Sequence, residues 1–219
     1  MAHIDFWFDL ISPYAFFGWL RVRDLAAEHG ASLRCRPVLF AALLDHHGQL
    51  GPAEIPSKRE HTFKDILRYA ALHGIELSGP ATHPFQPVTA LRCCLPAVAG
   101  EHQRRVIDAL FRGGWSRGAD LGDPQDLTRV LTAAGLDGKG MVARTRDPAV
   151  KEALKSEVAA AIERGVFGVP TYDVDGELFW GNDRMDYVAL RLGGRDPLDE
   201  DAARRLLALP SGSVRPKAR

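Results

Sequence analysis

The chain is poor in cysteine: among 219 residues only Cys35, Cys93 and Cys94 carry a thiol. An odd number with an adjacent pair makes no disulfide framework, and there is neither a Cys-x-x-Cys pair nor a Cys/His zinc spacing. The three are expected as reduced, mostly buried packing residues of a cytoplasmic protein. Net charge is lacking too. Lys+Arg and Asp+Glu each number 28, which argues against a nucleic-acid or anionic-membrane partner. No apolar run approaches the length that spans a bilayer. The first Lys or Arg is Arg21, and Asp5 and Asp9 interrupt the start, so no secretory signal is expected. Internal repeats and low-complexity segments are absent as well.

What is present suits one large domain, or one domain carrying an insertion. Hydrophobic residues make up 46% and charged residues 26%, enough to fill a core without staples. Ile4, Phe6, Phe8 and Leu10 alternate with Asp5, Trp7 and Asp9, which predicts a strand over 3–11. Ser12 and Pro13 then read as N-cap and first helical residue. Tyr14, Gly18, Val22 and Leu25 share one helical face, up to Gly30. Residues 32–38 predict a second strand with Leu33 and Cys35 inward. A β-α-β opening implies parallel pairing with a right-handed crossover.

Residues 44–56, polar and rich in Gly and Pro, read as a loop. A run of helices follows. One carries a Ser57-x-x-Glu60 capping box, then Phe63, Ile66, Leu67 and Ala70 inward, and closes at Gly74. The next runs from Pro87 and is kinked or ended by Pro96. Another spans Val106 to Phe111 and stops at Gly113-Gly114. Asp123-Pro124 caps the next, and a short turn surrounds Met141. Asp147-Pro148 opens a long helix ending at Gly165. Asp175-Gly176 predicts a hairpin joining strands 171–174 and 177–180. Asn182 or Asp183 caps a last helix with Met185 and Val188 inward. Residues 211–219 read as a loose tail.

Three segments carry candidate chemistry. Ser12 sits where a strand turns into a helix, beside free N–H groups and the positive end of the helix dipole, a setting that favours an anion. It serves equally as a plain cap. In Gly165–Thr171, Pro170 is either a turn residue or a cis-proline that leaves the main chain of Val169 open to a ligand. In Trp180–Arg184, a helix start would bind a carboxylate while Asp183 takes an ammonium, or Asn182 and Asp183 merely cap. The histidines show no metal-ligand spacing, so no metal site is expected. Lys58, Arg59 and Lys64 make a solvated helix face or a small anion site. Tyr69 and Trp115 read as core.

Taken together, FxFDxxSPYxF at Phe6–Phe16, GVFGVPT at 165–171 and FWGNDR at 179–184 resemble the bacterial 2-hydroxychromene-2-carboxylate isomerases. That family is close to the kappa-class glutathione transferases and the DsbA-like oxidoreductases. The resemblance runs over about residues 3–192. It implies an α/β, thioredoxin-like fold with an inserted all-helical domain. Residues 1–45 plus 147–195 would form the thioredoxin-like domain, 46–146 the insertion, and 196–219 a C-terminal extension. DsbA-like members carry Cys-Pro-x-Cys where this chain has Ser12-Pro13-Tyr14-Ala15, so no dithiol cycle can run there. The family takes its thiol from glutathione instead.

By resemblance, glutathione would be held by Ser12, Pro13, Tyr14, Gln49, Val169, Pro170, Trp180, Gly181, Asn182 and Asp183. Ser12 would be the catalytic residue, stabilising a thiolate. The substrate positions correspond to Leu44, Glu54, Ile55, Lys58 and His83. Here the chain departs from the isomerases of naphthalene degradation, which hold a carboxylate with basic and amide residues. Leu44 supplies no charge, and Glu54 would repel a carboxylate. His83 stands for a family Tyr, Gln49 for an Asn of the kappa class, and Lys58 is left to meet an anion. The implied activity is glutathione-dependent isomerisation of 2-hydroxychromene-2-carboxylate or a related unsaturated keto acid of aromatic hydrocarbon degradation, by thiolate addition, bond rotation and elimination. The alternatives are a kappa-like transferase or peroxidase acting on another electrophile, and a non-catalytic thioredoxin-like peptide-binding protein. The implied partners are glutathione and a small aromatic acid. A homodimer is a candidate because relatives dimerise.

Overall fold

The computed structural model describes residues 1–212. Strand β1 (His3–Phe8) alternates as its sequence requires. Ile4, Phe6 and Phe8 are fully buried in the main core, while Trp7 turns to a second cluster with Val38, Leu43, Ala161 and Val166. The strand ends before the predicted residue 11. Asp9 folds its carboxylate onto the N–H of Ile11 at 3.0 Å, and that turn takes the chain out of the sheet.

Helix α1 (Pro13–Glu28) follows, with Pro13 at its first position. More of it is buried than one stripe predicts: Phe16, Phe17 and Trp19 are covered as fully as Val22. Trp19 stacks on Phe6 of the sheet, whereas Phe17 stacks on Tyr69 of the helical region, so α1 is packed from both sides. Strand β2 (Ser32–Pro37) pairs parallel with β1, His3 opposite Ser32.

The predicted loop, 44–56, begins inside helix α2 (Phe40–His47) and also contains a single 3-10 turn at Pro52–Glu54. α2 spans the expected junction at residues 45 and 46. Helix α3 (Pro56–His73) starts at a proline with Ile55 as its N-cap residue. The predicted capping box does not form, because Ser57 lies inside the helix and Glu60 pairs with Lys64 one turn on. Leu67 points to solvent, since α3 packs along the stripe of Ile66 and Ala70. Helices α4 (Val88–Cys93) and α5 (Pro96–Ala99) meet at Pro96, which ends the first and starts the second.

Helix α6 (Gln103–Phe111) does not stop at Gly113-Gly114; it runs on through a π-helical turn, Arg112–Ser116. A Cβ on Gly113 would come within 2.7 Å of Val130, and one on Gly114 within 2.8 Å of Leu121. These glycines therefore permit close packing rather than punctuate. The turn carries Trp115 into the core, where its Nε1–H donates to Leu10 O at 2.9 Å.

Helices α7 (Pro124–Ala133) and α8 (Gly138–Arg144) lead to α9 (Pro148–Glu163). Asp123, Asp137 and Asp147 cap them by accepting backbone N–H bonds. Strands β3 (Thr171–Val174) and β4 (Glu177–Trp180) form the predicted hairpin. Asp175 and Gly176 both have positive φ, 48° and 93°, as a tight hairpin turn demands. β3 pairs antiparallel with β1, giving a sheet of order β2-β1-β3-β4.

The last helix of the sheet region, α10 (Met185–Leu192), is not capped by Asn182 or Asp183. A 3-10 turn, Asn182–Arg184, comes first, and Asp183 pairs with Arg184 at 2.7 Å. The predicted extension contains α11 (Glu200–Leu207), capped by Asp199, and the remainder of the predicted tail beyond residue 212 lies outside the described residues.

All three thiols are free and buried. Burial pushes Cys35 and Cys93 up to about 12, and Cys94 well above the ordinary thiol range. No helix among the described residues is long and apolar enough to cross a membrane.

Candidate functional site

The turn between β1 and α1 is held from several directions. Ser12 has extended backbone (φ −91°, ψ 118°), and its Oγ accepts the N–H of Ala15 at 3.2 Å, so it is a true N-cap. That bond uses an oxygen lone pair and leaves the hydroxyl proton to donate. Among the described residues it donates to Val169 O, at a long 3.5 Å. Capping and anion binding therefore do not compete: one hydroxyl does the first and stays available for the second. The Val169–Pro170 bond is cis, and this loop faces the start of α1.

Ile11, just before Ser12, is gripped at both ends. Asp9 takes its N–H, and His83 Nε2 lies 3.1 Å from its carbonyl oxygen. Since a carbonyl only accepts, that contact requires the proton on Nε2. His83 Nδ1 is then buried without a hydrogen-bond partner in the structure. Burial is the first cause that lowers the His83 pKa, and Arg59 adds to it, so the ring is held in its neutral form. His83 also precedes a cis-proline, Pro84, which no local signal announces.

The Ser12 turn opens on a cavity of about 530 Å³. Its walls come from the turn, from α2 and the segment after it, from α3, and from residues 83–87. Of the residues expected to act, Ser12, Pro13, Tyr14, Leu44, Gln49, Glu54, His83, Val169 and Trp180 line it together. Leu44 presents an apolar wall. Glu54 is turned back on its own loop, where Oε1 accepts the N–H of Gly51 at 2.6 Å, so part of its charge is already engaged. Tyr14 donates to Asp65 Oδ2 at 2.7 Å; burial first and this bond second push its phenol well above the usual range.

Two substrate positions fall elsewhere. Ile55 is the N-cap residue of α3 and does not line the cavity. Lys58 is exposed and outside the lining too. The cavity-facing stripe of α3 is Arg59, Thr62 and Phe63, an i, i+3, i+4 set that leaves Lys58 on the solvent shoulder. Arg59 is the only Lys or Arg among the described lining residues, and its guanidinium stacks over Phe63 at 4.7 Å. The charged group read from the sequence contains this residue, but only the helix register picks it out.

Pro170, Gly181, Asn182 and Asp183 form a shoulder beside the cavity. Gly181 has φ 107°, and its N–H donates to Pro170 O at 2.9 Å. Only a residue without Cβ takes this conformation readily. Asn182 is 3% exposed, and its Oδ1 is buried without a partner among the described residues. Asp183 is exposed. Trp180, 53% exposed, lies over Gly168, where a Cβ would come within 2.5 Å of the indole Nε1.

A residue that the sequence reading did not single out for chemistry also lines the cavity. Asp9 is 1% exposed. Beyond the N–H of Ile11, it accepts the N–H of Phe40 at 2.9 Å. Burial pushes its carboxyl up to about 7, against the backbone bonds that pull it down.

A parallel β-α-β unit, an antiparallel hairpin and a cis-proline facing the first turn of α1 define a thioredoxin-like fold, here with an inserted helical region and a hydroxyl at the helix start. The chain belongs to the DsbA-like thioredoxin domain family, whose model matches residues 3–193. It is 30% identical to a 2-hydroxychromene-2-carboxylate isomerase of Sphingobium xenophagum over 84% of this chain and 95% of that protein. It is 26% identical to glutathione S-transferase kappa 1 of Rattus norvegicus over 87% of this chain and 90% of that one. A solved structure of a 2-hydroxychromene-2-carboxylate isomerase superposes with a TM-score of 0.79 at 26% identity, covering 95% of this chain and 100% of that one.

Proposed function

We propose that the protein is a glutathione-dependent isomerase of an unsaturated keto acid of the 2-hydroxychromene-2-carboxylate kind. The observation that carries this reading is the Ser12 hydroxyl. It caps α1 through its lone pair while its proton, loosely held, faces a roomy cavity beside the cis-Pro170 loop. The names of the relatives point the same way.

The residues present fit glutathione. Asn182 Oδ1 is a buried acceptor without a partner, next to the Gly181 main chain and the Asp183 carboxylate. This shoulder would receive the γ-glutamyl end, and Val169 the cysteinyl main chain. When bound, glutathione supplies the sulfur nucleophile that adds reversibly to the substrate double bond and leaves after rotation. A free thiol has a pKa near about 8.5, so the protein must favour its anion. Ser12 does so by donating its hydroxyl proton, and the first turn of α1 by its dipole. His83 keeps the Ile11 peptide, and so Ser12, in place.

Arg59 is the group suited to the substrate carboxylate. The engaged Glu54 opposes it less than a free carboxylate would. The apolar Leu44 wall favours the aromatic part of the substrate, and equally supports the second reading, a kappa-like transferase acting on another electrophile. Ultraviolet absorbance of 2-hydroxychromene-2-carboxylate, followed with and without glutathione, separates the two. A rate that appears only with glutathione supports the isomerase. No rate above background, with glutathione conjugated to generic electrophiles, selects the transferase.

A further inference from the structure

Asp9 is a buried carboxyl group that the proposed reaction does not use. Its surroundings are unusual for an acid. Among the described residues it has no Lys, Arg or His partner, and its two oxygens are met by main-chain N–H groups of two different segments. One is Ile11, which leads into α1. The other is Phe40, the first residue of α2, whose own N-cap, Leu39, offers no side chain. The Asp9 carbonyl also accepts the N–H of Ser12 at 3.1 Å. One residue thus joins the turn presenting Ser12 to a helix that lines the same cavity.

We propose that Asp9 is a positioning residue of this site, which fixes the turn that presents Ser12 and sets, through its own charge, how readily a thiol seated there ionises. The inference rests on the glutathione reading above. The Asp9 carboxyl group and a thiol seated at Ser12 would face the same cavity, so two like charges would stand close together there. α1 has no acidic residue in its first turn, and Asp9, bonded to the N–H of Ile11 just before the cap, is the buried acid of that turn. A carboxylate there opposes a thiolate at Ser12, whereas a neutral carboxyl does not. The two groups titrate against each other, each raising the other by the same amount.

The other groups around Asp9 leave this coupling intact. Cys94, at the end of α4, faces it from behind and is pushed far up by burial, so it stays a neutral thiol. Tyr14 and His83 are held neutral. Asp45, Glu54 and Arg59 share the cavity lining as charged groups, and of these only Arg59 is a cation. Asp9 itself changes charge near neutral pH, where its state is open to influence.

The test follows both partners. The ultraviolet absorbance of the thiolate is recorded against pH for glutathione bound to the unmodified chain and to Asp9→Asn. The carboxyl titration of Asp9 is recorded by carbon NMR in the unmodified chain, with glutathione or with S-methylglutathione, which has no thiol to ionise. We expect the bound thiol to ionise about one pH unit lower in Asp9→Asn, as removal of a like charge within one cavity requires. We expect Asp9 to titrate higher with glutathione than with its S-methyl derivative. Equal Asp9 titrations with the two ligands overturn the proposal, even if Asp9→Asn fails to fold. An unchanged thiol titration in a folded, glutathione-binding variant overturns it as well. Absence of glutathione binding in calorimetry removes this inference together with the reading it rests on; binding without coupling removes this inference alone.

Discussion

The imidazole Nε2 of His83 lies 3.1 Å from the carbonyl oxygen of Ile11, so a residue outside the sheet holds the peptide that leads into Ser12. Replacement of His83 by Phe keeps the ring contacts with Phe63 and Trp115 but leaves this carbonyl unpaired. We expect a loss of about 1–3 kcal/mol in denaturant unfolding. The pH dependence has a definite sign. The His83 pKa is lowered in the folded chain, so the histidine must gain a proton on unfolding in acid. Its contribution is present above the ordinary histidine range and is lost as the pH falls through the lowered value. His83→Phe should flatten that acid limb.

Asp9 has the opposite sign. Its folded pKa, about 7, is raised above the usual carboxyl value by burial. Between the two values the folded chain binds the extra proton, so stability falls as pH rises from about 4 to about 7. The steepest expected slope is about 1.4 kcal/mol per pH unit. Unfolding free energies of the unmodified chain and Asp9→Asn, measured across this range, should converge at the acid end and separate toward neutrality in favour of Asn. Parallel curves would show that Asp9 does not titrate there.

Ser12→Ala removes the hydroxyl donor while leaving the shoulder at Asn182 untouched. Turnover should fall by about 100-fold or more, the usual cost of losing one preorganised donor to a developing anion. Glutathione should still bind in calorimetry. Loss of the cap adds about 1 kcal/mol of destabilisation, which a thermal scan reads separately. Unchanged turnover would remove Ser12 from the chemistry.

Arg59→Ala should raise the KM for an acidic substrate about tenfold and leave kcat within a factor of about two, as loss of uniform binding does. Lys58→Ala, one residue away on the solvent shoulder, should leave both constants unchanged. Equal effects of the two substitutions would mean that long-range charge, rather than a seat for the carboxylate, is at work.

Gly18 makes room for a neighbour. A Cβ there would meet the Tyr172 hydroxyl oxygen at 2.1 Å, and that hydroxyl is buried with no partner among the described residues. Gly18→Ala should cost about 1–3 kcal/mol. Tyr172→Phe alone should be close to neutral, and the double variant should recover much of the loss. Additive costs in the cycle would show that the strain lies elsewhere.

The sheet and the long helices were legible because their signals are local. Asp175-Gly176 states its hairpin, and the Asp-Pro pairs at 123–124 and 147–148 state their helix starts. Misread features depend on distant partners. Gly113 and Gly114 look like a stop until Val130 and Leu121 press on them. Helix α2 goes unannounced because its start at Phe40 is capped from Asp9, far back in the chain. In the site, the motifs pointed to the Ser12 and Val169 region, and the structure brings these residues together. The choice of Arg59 over Lys58 needed the helix register, and the role of Asp9 needed the fold.

Cys35, Cys93 and Cys94 are sealed in the core, with burial holding their thiols in the neutral form. A thiol in that form neither attacks electrophiles nor exchanges with disulfides. The folded molecule is therefore silent in its own thiols. A pool of small thiols and mixed disulfides can surround it without capping it, and alkylating substrates find no internal target. Any thiol chemistry measured with the folded protein has been brought in from outside the chain.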